Sequence, residues 1–199
     1  MRRVFSKVSL ALLTLPVAAT AVQAGSLIKG GGFESPVVPP GGFSSWTNGE
    51  TFGKWTVVGA PGGVSIVSGV FTSNGIAFPA KAGAQWLDLT GANLNQATGV
   101  QQTVKTVPGT SYRLKFSVGN VVNAGGPFGV SSAIDVQVDG VTLMTASHTG
   151  GSPVELSWKG FSLTFTATSS KTTIAFINAD PLADNSNGLD GVSLTALAP

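Results

Sequence analysis

The chain has 199 residues, no cysteine, and only 10% charged residues. Without cysteine it has no disulfide, no thiol nucleophile and no cysteine-based zinc site. The formal net charge of +2 does not indicate a nucleic-acid-binding protein, because three of the 11 basic residues lie at the extreme N-terminus and no basic cluster follows them.

The N-terminal segment is typical of a secretory signal peptide. Arg2, Arg3 and Lys7 precede an apolar run at 8–21 and a small-residue cleavage site that ends at Ala24. The run is too short and too interrupted to span a bilayer, so we expect no membrane span. The paired arginines also resemble a twin-arginine signal, so export is predicted by either general secretion or the twin-arginine route, to the periplasm or the medium.

Residues 25–199 are predicted to form one domain with a net charge of −1, since 8 basic residues then face 9 acidic ones. Short runs of alternating hydrophobicity separated by Gly- and Pro-containing turns predict an all-β fold, a two-sheet jelly-roll sandwich. Residues 36–42 and 70–82 are predicted to be loops. The predicted strands lie at 26–28, 54–58, 64–67, 83–91, 99–107, 111–119, 133–138, 141–147, 155–166, 172–178 and 189–197.

The strand at 83–91 carries the most informative pattern for function. Its alternation places Leu87 and Leu89 on one face and Trp86 and Asp88 on the other. An aromatic ring beside a carboxylate can hold a sugar, because the ring covers the C–H face and the carboxylate accepts hydrogen bonds from hydroxyls. The alternative is that Trp86 packs beneath a loop and Asp88 is only solvated.

Four further residues are candidates for the same ligand face. Arg113 and Asp135 lie opposite the apolar positions of their strands, where solvated surface charges are also common. Trp46 is predicted to lie in a loop, either as a stacking platform or as an anchor for the loop. Trp158 falls on the outward parity of its strand unless a bulge occurs near Gly160, so its role stays open.

Several short motifs, in order, resemble the single-module bacterial relatives of the plant cell-wall domain-of-unknown-function-642 family, which has a galactose-binding-like jelly roll. They span almost the whole of residues 25–199. The motifs are Gly32-Phe33-Glu34, Lys54-Trp55-Thr56-Val57, Gly83–Gly91, Pro108-Gly109 with Tyr112-Arg113-Leu114, Phe165–Ser170, and Leu189–Leu194.

The resemblance implies a secreted, non-catalytic protein of the cell surface or extracellular matrix that binds a polysaccharide or another cell-surface glycan. It also implies that Trp55 is a core residue, and that Glu34 and Asp190 come together at the two chain ends to hold a structural Ca²⁺ ion. The alternative is that Glu34 is an ordinary surface or loop carboxylate. The chain departs from the plant pattern in having one module and no cysteine.

Catalysis has little support in the sequence. His148 is the only histidine, and no Gly-x-Ser-x-Gly motif occurs. The expected function is therefore carbohydrate binding without catalysis. The alternatives are a structural or adhesive matrix protein that binds other proteins and, with less support, a secreted glycan hydrolase that uses two carboxylates.

Overall fold

The computed structural model describes residues 25–91, 95–181 and 187–198, and the predicted signal peptide lies outside them. In these residues the regular structure is β-strand, and no helix is long and apolar enough to cross a membrane. The strands are β1 (Phe43–Thr47), β2 (Thr51–Phe52), β3 (Trp55–Gly59), β4 (Gly63–Ser68), β5 (Thr72–Ser73), β6 (Ile76–Ala77), β7 (Gln85–Asp88), β8 (Thr98–Lys105), β9 (Ser111–Asn120), β10 (Ser132–Val138), β11 (Val141–His148), β12 (Ser157–Thr166), β13 (Lys171–Asn178) and β14 (Gly188–Ala196).

Two six-stranded sheets form the sandwich. The first sheet has the order β1-β4-β7-β14-β9-β12, and the second has the order β11-β10-β13-β8-β3-β2. Strands β5 and β6 form a separate small hairpin. This architecture confirms the predicted all-β, two-sheet jelly-roll sandwich.

The main core fills the space between the inner faces of the two sheets. Period-two alternation directs apolar side chains inward from nearly every long strand. Trp55 lies among them, buried as expected, with its indole N–H donating to the Gly30 carbonyl at 3.0 Å. Other fully buried members are Val57, Ile66, Leu87, Leu89, Leu114, Ile134, Ile174, Phe176, Leu189 and Leu194.

Turn chemistry sets the register of the β10–β11 hairpin. Asp139 and Gly140 have φ angles of 51° and 82°, the left-handed conformation that a two-residue type I′ turn requires. Val138 consequently pairs with Val141, as the Asp-Gly dipeptide predicts.

Three local predictions were wrong. Residues 70–82, predicted to be a loop, contain the β5–β6 hairpin. Residues 43–47 form edge strand β1, although the Pro-Pro-Gly-Gly run before them and the two serines predicted a loop. Residues 26–28 are not a regular strand, although the Leu27 amide donates to the Leu194 carbonyl at 2.8 Å.

Candidate functional site

A second apolar cluster lies on the outer face of the first sheet, outside the main core. We call it the outer aromatic cluster, and it consists of Phe71, Phe78, Trp86, Phe128 and Trp158. Trp86 is only 2% exposed, whereas Leu87 and Leu89 on the other parity lie in the main core. The alternation predicted from the sequence is therefore present, but its outward aromatic residue is covered rather than open to solvent.

The covering element is the segment that connects β4 to β7, residues 69–84, and we call it the roof. The indole N–H of Trp86 donates to the Phe78 carbonyl at 3.1 Å, and that of Trp158 donates to the Pro79 carbonyl at 2.9 Å. Ala77 exchanges backbone hydrogen bonds of 3.0 and 2.8 Å with Val154 and Leu156. Two tryptophans thus hold consecutive carbonyls of one segment over the sheet, which satisfies both buried indole donors.

The strand registers place a row of residues across the outer face. Ser65 on β4 pairs with Asp88 on β7, Asp88 with Gly188, Gly188 with Gly119, and Gly119 with Trp158. The β9–β12 register continues through Trp158 without a bulge, so Trp158 faces outward with Trp86. Their ring centroids are 5.9 Å apart in an edge-to-face arrangement.

The two glycines in this row allow the indole of Trp158 to lie directly on the backbone. A Cβ added at Gly188 would be 2.9 Å from Trp158 Cη2, and one at Gly119 would be 3.1 Å from the same atom. The far edge of the ring therefore reaches β14, the strand beside Asp88. Any larger residue at position 188 would displace the ring, because real Cβ contacts are not this short.

Asp88 is the titratable group at the centre of this face. Thr90 donates to its Oδ1 from the backbone amide at 2.9 Å and from the hydroxyl at 2.6 Å. Burial raises the pKa of Asp88 to about 6, against the opposing effect of the hydrogen bonds from Thr90 and Gly91. Asp88 as a whole residue is half-buried, so it is not sealed off from the outer face, and its raised pKa makes it a candidate proton donor.

The other predicted ligand residues do not join Asp88. Arg113 is exposed on the same face of β9, but six positions from Gly119, which is about 20 Å along a strand. Trp46 lies on inward parity in edge strand β1 and packs on Phe52 with centroids 4.8 Å apart. Asp135 lies on the second sheet, where its Oδ1 accepts a hydrogen bond from the Thr145 hydroxyl.

Glu34 and Asp190 do lie close together. A Cβ added at Gly32 would be 3.9 Å from Glu34 Cγ and 4.0 Å from Asp190 Oδ1. Asp190 Oδ2 accepts the amides of Lys81 and Ala82 at 3.0 and 3.1 Å, and Glu34 Oε1 accepts those of Ala84 and Gln85 at 3.0 and 3.2 Å.

Asp190 differs from Asp88 in its access to ligands. It is 0% exposed, and burial raises its pKa to about 6, with a smaller contribution from the negative charge of Glu34 and opposition from its backbone hydrogen bonds. A group with no exposed surface cannot exchange a proton directly with a ligand on the outer face. Among the described residues, no group of three or more His, Cys, Asp or Glu side chains is arranged to hold a metal.

His148 is a structural residue at the end of β11. It is buried, and its Nδ1 lies 3.1 Å from the Val118 carbonyl. Burial lowers its pKa, which keeps the ring neutral. It lies in a strand of the second sheet and does not provide a base for the Asp88 face.

Sequence reasoning missed the parts of the site that other segments bring in. Phe78 and Phe128 come from connections without a hydrophobic period, and Gly119 and Gly188 carry no side chain to notice. The hydroxyls of Ser45 and Ser65 form a 2.8 Å hydrogen bond beside Asp88 and were also missed. One feature of the sequence could have indicated this arrangement. Gly119 and Trp158 both have outward parity, and a glycine opposite a tryptophan on the neighbouring strand leaves room for the ring.

Fold and site together define an all-β sandwich that carries an aromatic-lined carboxyl on one outer face. The family model HpiC1-like, described as HpiC1 cyclase, matches residues 26–195. The chain therefore belongs to the HpiC1-like family. No curated protein sequence is similar enough to count as a relative of this chain.

This chain is similar to several solved structures. One is the Stig cyclase Fisc from Fischerella sp. TAU, in complex with (3Z)-3-(1-methyl-2-pyrrolidinylidene)-3H-indole. It is 20% identical, with a TM-score of 0.58 over 88% of this chain and 98% of that one. Another is the CBM22-1 xylan-binding domain from Paenibacillus barcinonensis Xyn10C, which is 18% identical, with a TM-score of 0.45 over 81% of this chain and 99% of that one.

The family match corrects the functional predictions. The chain belongs to a cyclase family and not to the domain-of-unknown-function-642 family, so the prediction of a non-catalytic protein was wrong. Polysaccharide or cell-surface glycan as the partner, and carbohydrate binding at the cell surface or matrix as the function, are likewise overturned. Neither alternative, a matrix protein or a glycan hydrolase, agrees with a cyclase family.

Proposed function

We propose that the chain is an acid-promoted cyclase for a small, unsaturated substrate of the indole class, and that Asp88 is its proton donor. The observation that carries the proposal is the half-buried residue Asp88, whose carboxyl has a pKa raised to about 6 and which lies on the same outer face as two indole rings. The substrate class is taken from the ligand of Fisc.

The chemistry of a cyclisation matches what this face offers. Protonation of an unsaturated substrate creates a cation, and an internal carbon–carbon bond then forms before a proton is lost, so the product has the mass of the substrate. A carboxyl with a pKa near the working pH can deliver the first proton. The partly buried rings of Trp158 and Phe128 can stabilise a nearby cation through their ring quadrupoles, whereas Trp86 lies beneath the covering segment and supports them.

An isomerisation assay tests this proposal. The purified protein is incubated with a panel of 3-alkenyl and 3-ylidene-substituted indoles, and the products are separated by liquid chromatography with mass detection. We expect at least one substrate to give a new peak of unchanged mass that boiled protein does not produce. Conversion of none of the panel, by protein that melts cooperatively, would contradict the indole class.

Ca²⁺ at Glu34 and Asp190 is part of the same proposal. Two carboxylates beside the same glycine are hard oxygen donors of the kind that suits Ca²⁺. Five backbone amides already engage the pair, from Lys81, Ala82, Ala84, Gln85 and Gly191, so an ion would use the remaining lone pairs. Its role would be structural, tying β14 to the segments at 30–34 and 80–85.

We expect a chelator to lower the melting temperature of the calcium-loaded protein by about 5 °C or more, because an ion bound only by the folded state adds a few kcal/mol at saturating concentration. Glu34→Gln should abolish most of this response. Glu155→Gln, which removes another exposed carboxylate, should leave it unchanged. Equal melting temperatures with and without chelator would contradict a bound Ca²⁺ ion.

We also propose that residues 25–199 act as a single exported domain. The N-terminal sequence supports export through its basic start, apolar run and cleavage site.

A further inference from the structure

A groove of about 700 Å³ lies along strands β3 and β8 of the second sheet, whereas Asp88 lies on the first sheet. Strands β3 and β8 and the segment at 25–29 form its walls. Three lysines line it, Lys29, Lys54 and Lys105, together with the polar side chains of Gln101 and Thr103. None of its eleven lining residues carries a carboxylate.

The concentration of positive charge is unusual for this chain. Only 8 basic residues follow residue 24, and three of them line the groove. A fourth, Lys171, pairs directly with Lys105 across β8 and β13. Two like charges directly opposite one another destabilise a sheet, so the pair is maintained at a cost that a bound anion would remove.

Glu50 and Asp139, two acidic residues in turns of the second sheet, do not line the groove. Asp139, in the β10–β11 turn, accepts the amide of Thr173 on Oδ1 at 2.8 Å. Glu50, just before β2, accepts the amide and the hydroxyl of Thr47 on Oε2 at 2.6 and 2.9 Å. Both carboxylates are held at turns by local hydrogen bonds.

The wall that carries Lys29 is fixed by the body of the protein. The side chain of Gln102 accepts the Lys29 amide and donates to the Lys29 carbonyl, both at 2.9 Å. Thr103 and Thr173 share a 2.8 Å hydroxyl hydrogen bond on the adjacent outer surface. The Lys29 ammonium group also donates to the Ser26 carbonyl at 3.3 Å, so this wall and its charge are held in place beside the groove.

We propose that this groove binds an oligophosphate group, either on a soluble molecule or on a lipid. A phosphate chain carries several charges and many acceptor oxygens, which three or four ammonium groups, an amide and hydroxyls can engage together. The volume is that of a small-molecule site. The site lies on the other sheet from Asp88 and uses none of its residues, so it is independent of the proposed cyclisation.

Calorimetric titration of the purified protein with inorganic pyrophosphate and tripolyphosphate tests the proposal. We expect saturable binding at one site, stronger for tripolyphosphate and weakened by added salt. Lys54→Gln and Lys105→Gln should each weaken binding by about tenfold, since each removes a charged hydrogen-bond donor. Asp88→Asn should bind both anions as the unsubstituted protein does.

Lys115→Gln and Lys159→Gln are the matched controls. Both residues are exposed lysines on the first sheet, so each control changes the net charge equally and leaves the groove intact. Unchanged binding in the controls supports a site in the groove. Equal weakening in all four variants, or no saturable binding, would overturn the proposal.

Phosphatidylcholine vesicles with and without diacylglycerol pyrophosphate identify the source of the oligophosphate. Retention on the acidic vesicles, displaced by tripolyphosphate and lost in Lys105→Gln, supports a lipid headgroup. Saturable binding of the soluble anions without vesicle retention supports a soluble ligand.

Discussion

Replacing Asp88 with asparagine is expected to lower the turnover number of the cyclisation by about 100- to 10,000-fold, the usual contribution of a general acid. Asparagine keeps the size of the side chain and an oxygen that can accept the Thr90 hydrogen bonds, but it has no acidic proton to deliver. Turnover numbers measured by chromatography on the best substrate of the indole panel provide the comparison. Asp135→Asn, on the second sheet, is the control and should retain full activity.

The pH dependence of this reaction follows from the raised pKa of Asp88. The protonated form is the proton donor, and it predominates below the folded pKa of about 6. We therefore expect a rate that is level below about pH 6 and falls about tenfold for each pH unit above it. Asp88→Asn should lose this dependence together with its activity.

The effect of Asp88→Asn on stability distinguishes a proton-donor role for Asp88 from a structural role. The pKa of Asp88 is raised from 3.8 to about 6, so the folded state binds the proton more tightly than the unfolded state. The carboxyl then favours folding at low pH, and that contribution is lost as pH rises through about 6. Above that pH, Asp88→Asn should be at least as stable as the unsubstituted protein. An inactive variant that is also unfolded, or a folded variant with full activity, would contradict a proton-donor role.

The features that the sequence predicted well are those set by neighbouring residues. The alternation of Tyr112, Leu114 and Phe116 with Arg113 and Lys115 defines β9 without knowledge of its partners, and the Asp139-Gly140 turn defines a hairpin. Strand β1 was missed because its serines have little preference for a strand. Its pairing with β4, from Phe43↔Val67 to Thr47↔Gly63, is a tertiary contact.

The site was only partly predictable for the same reason. The parity of Trp86 follows from its two leucine neighbours, but its burial depends on Phe78 and Phe128, which arrive from distant loops. Glu34 and Asp190 could be paired only through a resemblance. The row from Ser65 to Trp158 joins five strands and exists only once the registers are known.

The family assignment failed because the motifs that suggested it belong to the scaffold. Trp55 fills the core, Glu34 and Asp190 pack around Gly32, and residues 189–194 form a central strand. A sandwich that binds a glycan and one that cyclises a small molecule both need a packed core and a paired central strand. Under the proposed function, the residues that set the activity lie on the outer face, in Asp88, the glycines beneath Trp158 and the aromatic residues of the roof, and function must be inferred from such sites rather than from the fold.

Trp86→Ala should reduce the free energy of unfolding by about 3–5 kcal/mol, the usual cost of truncating a buried aromatic side chain. The indole is 2% exposed, stacks on Phe78 with centroids 6.3 Å apart, and donates to the Phe78 carbonyl. Its removal leaves a cavity under the roof and an unsatisfied carbonyl. Urea unfolding, followed by circular dichroism, measures the loss.

Two further variants assign that loss to the roof. Trp86→Phe keeps a ring but removes the donor, so it should cost less than alanine does, about 1–3 kcal/mol. Phe43→Ala removes a ring that is 48% exposed and packs edge-on against Phe71, and it should cost much less than Trp86→Ala. If Trp86→Ala instead left unfolding unchanged and only weakened substrate binding, the indole would be a ligand contact. The segment from β4 to β7 would then have to open for the reaction, because in the closed arrangement its carbonyls accept both indole donors.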